Sequence, residues 1–347
     1  MTVHYYLGAN TPEGFASLYD RYVAGDDRLY IIKGSPGSGK STFMKSLARE
    51  LISLGANAEL IHCSGDPESL DGVYFPELHT AYVDGTAPHV IEPVYAGVSG
   101  NYLNFGAGLD MDGLSSCRGA ITEYTAKYRE QYVRAYNALR AARVATDGIY
   151  DDPAAVETVK KRALTLAAGL FDAKGGTGTV KERFTDALTC RGWVHRYDTV
   201  AELTDTVYLV DTGLGLHRLF VKTAAEYAVG HGWDVILCRD ALMAAETAHL
   251  IVPEAGVAIV SRYGDELPQW NARAVRLDAI QREKADTERI RTRKGIFDTL
   301  IGEAIGCLER AKLYHDKLET VYRPYVDFSF ADALMREHVQ MLKAKMN

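Results

Sequence analysis

Residues 34 to 42 read Gly-Ser-Pro-Gly-Ser-Gly-Lys-Ser-Thr, lodged between the apolar run Leu29-Tyr30-Ile31-Ile32 and a stretch of helical period. No other feature restricts the backbone so tightly. The apolar run ending in a glycine-rich turn predicts a buried strand. From Ser41 to Leu54, the residues Phe43, Met44, Leu47, Leu51 and Leu54 recur at threes and fours, which predicts a helix ended by Gly55. Gly34, Gly37 and Gly39 permit angles that let successive N–H groups turn inward on one point. The unpaired N–H groups and positive dipole end of the helix face that point as well. Strand, loop and helix together predict an anion cradle.

The pattern G-x-x-x-x-G-K-[ST] is met by Gly34, Gly39, Lys40 and Ser41, with Ser35, Pro36, Gly37 and Ser38 between them. At such a loop Lys40 is expected to supply a point charge to β- and γ-phosphates, and Ser41 a hydroxyl ligand to Mg²⁺. Thr42 is expected at the α-phosphate. The metal needs an acidic partner at the end of a neighbouring strand. Thr80 to Val83 reads as a strand with Asp84 at its C-terminal end, where ligands bind in open parallel sheets. Asp84 is therefore the expected second metal ligand, with a simple turn cap as the bland reading and Asp66 and Asp71 as competitors. A base or water-positioning group could come from Asp66, Asp71, Glu77 or His89. Asp66-Pro67 also fits a helix N-cap followed by proline at the first helical position, and His89 fits an ordinary loop histidine. Cys63 reads as a small residue buried at the end of a second strand, Ala58 to His62, rather than as a nucleophile.

The chain of 347 residues predicts two or three domains, and 47% hydrophobic with 24% charged residues is ordinary for a globular protein with a real core. The net charge of −7 gives nucleic acid no global attraction, and the helical regions mix charges of both signs. No apolar run approaches the ~20 residues of a membrane span. The N-terminus lacks a secretion-signal layout. Five scattered cysteines without a C-x-x-C pair argue against a disulfide framework or zinc site, so a cytoplasmic protein is expected.

The chain also repeats itself. At an offset of 178, Leu29 to Gly34 falls on Val207 to Thr212, Gly37 on Gly215 and Lys40 on Arg218. At 177, Pro76-Glu77, Ala81 and Val83 fall on Pro253-Glu254, Ala258 and Val260. The strand ending in Cys63 matches the one ending in Cys238 once two residues are gapped. On this alignment Gly39 becomes His217, Lys40 becomes Arg218, Ser41 becomes Leu219 and Asp84 becomes Ser261. The second copy therefore cannot hold the metal, although Gly213 and Gly215 remain. The second copy reads as a decayed fold kept for packing; the sharper reading has Arg218 or Arg239 reach across to the γ-phosphate of the first copy as an arginine finger. Helical stretches follow each copy, over 120–144 and 154–171, then over 279–318 and 330–345 with a break at Arg323-Pro324. They are read either as cover for the sheets or as a lid, and Gly175 to Thr179 as a flexible turn or linker. The predicted architecture is α/β: two tandem P-loop NTPase-like parallel-sheet domains, each followed by a helical hairpin. The divisions are 1–115, 116–189, 190–278 and 279–347.

Gly34 to Thr42, His62-Cys63-Ser64-x-Asp66-Pro67-x-Ser69-Leu70-Asp71-Gly72, Pro76-Glu77-Leu78 and Asp84 to His89 together resemble a group of uncharacterised bacterial ATPase-like proteins with two tandem phosphate-loop domains. The resemblance implies a P-loop NTPase fold in both halves, with ATP as the nucleotide. Members commonly carry a second intact loop, which this chain lacks. Three functions fit these residues: a Mg²⁺-dependent ATPase, a small-molecule or nucleotide kinase with its substrate held by Asp66 or His89, and a nucleotide-dependent switch or scaffold with an unidentified protein partner. Against the kinase, Arg118 and Arg129 are the only candidates for a basic acceptor pocket.

Overall fold

A computed structural model describes residues 1–23, 27–88, 90–93, 95–146, 153–212, 215–263, 270, 272–277, 280 and 287–346. The first half contains β1 (Thr2–Tyr6), β2 (Gly8–Thr11), β3 (Gly14–Ser17), β4 (Arg28–Lys33), α1 (Lys40–Ser53), β5 (Ala58–His62), β6 (Leu70–Phe75), β7 (Thr80–Asp84) and β8 (Gly100–Asn104). Three helices follow: α2 (Met111–Ser115), α3 (Arg118–Thr146) and α4 (Pro153–Ala168). The second half contains β9 (Val180–Arg183), β10 (Asp186–Thr189), β11 (Gly192–His195), α5 (Tyr197–Leu203), β12 (Thr206–Val210), α6 (His217–Gly230) and β13 (Val235–Arg239). It continues with β14 (Thr247–Val252), β15 (Val257–Ser261), β16 (Ala272–Val275), α7 (Thr287–Tyr322) and α8 (Phe328–Met346).

These strands form two six-stranded sheets, ordered β1-β5-β6-β7-β4-β8 and β9-β13-β14-β15-β12-β16. The two orders correspond strand for strand, so the repeat seen in the sequence is a repeat of topology. Neither sheet is purely parallel, which corrects the expected parallel architecture. β6 runs antiparallel to β5 and β7, and β14 antiparallel to β13 and β15. The reason is connection length. A parallel crossover needs about a dozen residues, and the links on either side of β6 and β14 are shorter than that, so the chain must turn back as hairpins. The β6–β7 turn passes through left-handed His79 (φ 47°), and the equivalent turn through Gly256 (φ 62°).

The second sheet takes in β9 at one edge, and residue 190 lies in the turn of the β10–β11 hairpin. Backbone bonds join the halves at equivalent positions: Tyr6 N–H donates to Phe184 O at 2.8 Å and Phe184 N–H to Tyr6 O at 3.0 Å. The long helices α3 and α7 pack antiparallel. Gln131 and Arg310 meet at 3.0 Å near their crossing, and Cys117 just before α3 reaches Tyr325 just after α7. A contact in which each residue meets its own equivalent is the signature of a two-fold, isologous interface. The shorter helices are exchanged between halves. Val339 and Leu342 of α8 complete the core over α1, while Val159 and Ala163 of α4 complete the core over α6. Among the described residues no helix is long and apolar enough to cross a membrane.

Candidate functional site: a glycine-rich loop under the long helices

The buried strand β4, carrying Tyr30, Ile31 and Ile32, delivers the chain into the loop at the C-terminal edge of the first sheet. Gly37 (φ 71°) and Gly39 (φ 91°) are both left-handed, and Gly39 is the N-cap of α1. A Cβ on Gly34 would sit 2.7 Å from Ser38 Oγ and 2.8 Å from Phe105 Cβ, so that position is closed to any side chain. Gly37 and Gly39 thus use backbone angles that favour glycine.

Lys40 is 9% exposed. Its ammonium donates to Gly34 O at 3.1 Å and Ser35 O at 3.0 Å, and lies 3.6 Å from Asp84 Oδ2. Asp84 is brought there by the parallel pairing of β7 with β4, which sets it opposite Ile32. Its other oxygen accepts from Thr86 N–H at 2.9 Å and Thr86 Oγ at 2.6 Å. Asp84 thus acts as a turn cap and as the acid facing Lys40. Ser41 Oγ accepts from Leu70 N–H at 2.9 Å, which ties the loop to the start of β6. Ser35 Oγ is buried without a hydrogen-bond partner, an orphaned polar atom inside the loop.

The loop opens into a cleft of about 1110 Å³. One wall is the sheet edge, with Ser64, Asp66, Asp71 and Asp84; the other is α3 and α7, with Tyr128, Tyr132, Tyr136, His315 and Glu319. The backbone of α7 lies close over the loop, since a Cβ on Gly37 would be 3.2 Å from Glu319 O. That helix belongs to the second half. His315, Asp316 and Glu319 bring potential ligand atoms within 4.8 Å of one another, though Asp316 already meets Lys312 at 2.5 Å and Glu319 meets His315 at 3.5 Å. Desolvation lowers the His315 pKa, against the opposing pull of Glu319.

The other candidate residues divide. Asp66 lines the cleft, accepts from Ser69 Oγ at 3.0 Å and meets Lys312 at 3.4 Å. No helix follows it. Asp66 O instead accepts from Ser69 N–H at 2.8 Å, which makes Asp66-Pro67 the start of a β-turn. Asp71 is 6% exposed and accepts from Tyr19 OH at 3.2 Å. Glu77 is removed from the site, because it lies in the β6–β7 turn at the far edge of the sheet, where it pairs with Asn57. His89 lies outside the described residues. Desolvation, reinforced by Asp71, pushes the Cys63 thiol well up, which suits a structural cysteine. Arg129 lines the cleft; Arg118 is not among the lining residues. The tyrosines of α3 escaped sequence reasoning, although their spacing of four puts them on one helix face.

The second copy needs a corrected alignment. Buried residues on α1 are Lys40, Phe43, Met44, Leu47, Ala48 and Leu51; on α6 they are His217, Phe220, Val221, Ala224, Ala225 and Ala228. Every pair is separated by 177, whereas β4 and β12 are separated by 178, so the second loop is one residue shorter. Lys40 therefore corresponds to His217, Ser41 to Arg218 and Thr42 to Leu219. The strand ending in Cys238 also needs no gap, because β5 and β13 match at 177 and bulge at the same place. Gly213 lies outside the described residues.

Neither Arg218 nor Arg239 lines the cleft over the first loop. Arg218 donates to Asp240 Oδ2 at 2.7 Å, and Tyr263 OH donates to the same atom at 2.8 Å. Arg239 is bound to Glu182. Arg218→Ala is expected to leave turnover per folded molecule unchanged but to destabilise the second half by roughly 2 kcal/mol or more, because Asp240 is 2% exposed and loses its cation. Denaturant midpoints alongside phosphate release would separate the two effects.

The arrangement is thus an α/β sheet edge presenting a glycine-rich loop with a cation and a carboxylate beside it. Comparison with protein-family models, curated proteins and solved structures finds no match.

Proposed function

We propose that the chain binds a magnesium–nucleoside triphosphate, ATP by the resemblance noted above, at Gly34–Thr42 and hydrolyses its γ-phosphate. This reading makes the first half a P-loop NTPase and the second a degenerate copy. The single observation that carries it is the Lys40–Asp84 pair, 3.6 Å apart at the mouth of a loop with two left-handed glycines. The cradle fits the ligand: Gly34 is closed to side chains, and Ser35 Oγ is buried with no partner of its own.

On this reading the loop N–H groups and the start of α1 hold the β-phosphate, and Lys40 exchanges its carbonyl partners for phosphate oxygens. Ser41 and Asp84 would hold the magnesium, a hard cation suited to hydroxyl and carboxylate oxygens. Bound there, a magnesium ion would supply positive charge to the phosphates. Asp66 and Asp71, on the wall facing α3, are the groups available to accept a proton from an attacking water.

Incubating the pure protein with ATP and Mg²⁺, alone and with metabolite pools, tests the reaction. Release of phosphate without an acceptor supports hydrolysis. Consumption only with a metabolite supports a kinase, a second reading favoured by the size of the cleft, because about 1110 Å³ exceeds the usual ligand pocket. Binding without turnover under any condition leaves a nucleotide-dependent switch. Asp84→Asn is expected to lower Mg²⁺-dependent turnover by about a hundredfold or more while ATP affinity changes far less. Equal turnover in variant and parent would remove Asp84 from the metal role.

A further inference from the structure

Beyond Thr42 the surface continues into a second, smaller concavity. It holds about 240 Å³ and is formed on one side by Gly39, Thr42 and Ser46, and on the other by Arg323, Phe328 and Asp332. The first group belongs to the loop and α1. The second comes from the corner between α7 and α8, contributed by the other half of the chain. Phe328 is 39% exposed, an unusual position for a phenylalanine beside a polar loop. A Cβ on Gly39 would lie 3.7 Å from its ring, so the ring edges the loop without filling it. Asp332 follows Phe328 by four residues on α8 and so shares its helix face.

We infer that this concavity is a nucleobase site, in which the base stacks on Phe328 and an exocyclic amino group donates to the Asp332 carboxylate. The inference rests on the proposed phosphate loop. Thr42 marks the α-phosphate end of that loop, and the sugar and base must continue outward from there. The large cleft shares Gly39, Thr42, Arg323 and Phe328 with this corner and extends from it to Asp84, Asp71 and the tyrosines of α3, the γ-phosphate end on this reading. The small concavity is therefore on the correct side, and an aromatic face with one carboxylate is suited to a flat heterocycle bearing an amino group.

This assignment gives the degenerate half a part in the first site. α8 crosses from the second half to pack on α1, with Val339 and Leu342 in the core of the first sheet. The active loop is then completed by a copy that has lost its own loop. Arg323 borders both the small concavity and the large cleft, which makes it the cation best situated to meet the triphosphate from the lid.

The test is equilibrium binding, by calorimetry, of Mg–ATP, Mg–UTP and Mg–tripolyphosphate to the full chain, with thermal melts as the folding check. Phe328→Ala is expected to weaken ATP on the order of ten- to a hundredfold and to leave tripolyphosphate unchanged. Phe328→Tyr should keep the parent's ATP affinity. UTP, whose base has no amino group, should bind the parent less tightly than ATP, and Asp332→Ala should narrow that gap. Unchanged ATP affinity in Phe328→Ala, or equal losses for ATP and tripolyphosphate, would overturn the base site while leaving the phosphate loop standing. If the parent binds neither ATP nor tripolyphosphate, the loop reading falls and the base site with it.

Discussion

Lys40→Ala is expected to lose phosphate release by about two to three orders of magnitude and to bind ATP about ten- to a hundredfold more weakly. Lys40 is 9% exposed and its ammonium sits among two carbonyl oxygens and one carboxylate, an environment poised to exchange neutral acceptors for phosphate. A charge-assisted bond is worth about 1.5–3 kcal/mol, which sets the scale of the binding loss. The larger effect on turnover follows because charge on the transferring group shifts as the transition state is reached, and Lys40 would act there as well. Stability should change little, since the carbonyls of Gly34 and Ser35 are freed without leaving a charge buried deeply. Calorimetric titration of ATP, together with phosphate release at saturating nucleotide, measures both quantities. Unaltered ATP affinity in a folded variant would end the proposed function.

Arg183→Met is expected to cost about 3–5 kcal/mol of stability, the largest single loss anticipated for a residue outside the site. Arg183 is 1% exposed. It donates to Glu59 Oε2 at 3.1 Å, to Tyr22 O at 3.0 Å and to Glu182 O at 2.8 Å, bridging β9 of the second half to β5 of the first. Burial by itself would raise the Glu59 pKa; the Arg183 guanidinium and the Lys181 ammonium outweigh that and hold it below its ordinary 4.5. A carboxyl depressed in the folded state adds stability above its unfolded pKa and loses it as pH falls through the folded value. The parent should therefore weaken on acidification below about 4.5. Without Arg183 the burial effect gains ground, so the deficit of the variant should shrink as Glu59 takes up its proton. Urea melts at neutral and acid pH report both; a neutral-pH deficit under about 1 kcal/mol would show the pair to be dispensable.

Several elements were legible because their signals are local. The helix expected from Ser41 appears one residue earlier, as Lys40–Ser53, since burial at threes and fours specifies the face that meets the sheet. The break at Arg323-Pro324 falls between α7 and α8, where the backbone passes through a short 3-10 turn. The duplication was legible from spaced landmarks. Its register was not, because Gly39 onto His217 looks as good letter by letter as Lys40 onto His217. Only the burial of Phe220, Val221 and Ala224 selects between them. Strand β6 was missed, being embedded in a polar-looking segment whose Asp71 and Gly72 are poor strand formers. Both residues are buried there because β5 and β7 pair with that segment on either side.

What the sequence settled by itself is the shape of the loop. Nine contiguous residues determine it, since glycine angles, a strand end and a helix start are all short-range effects. The surroundings of that loop were decided only in the tertiary structure. Asp84 could be nominated from its strand end, but its 3.6 Å approach to Lys40 depends on which strand pairs with β4. Glu319 and Phe328, which lie beside Gly37 and Gly39, come from the far end of the chain, the first on α7, which pairs with α3, and the second on α8, which packs on α1. Contacts of that range depend on how two apolar faces find each other, and no local pattern of residues records the choice.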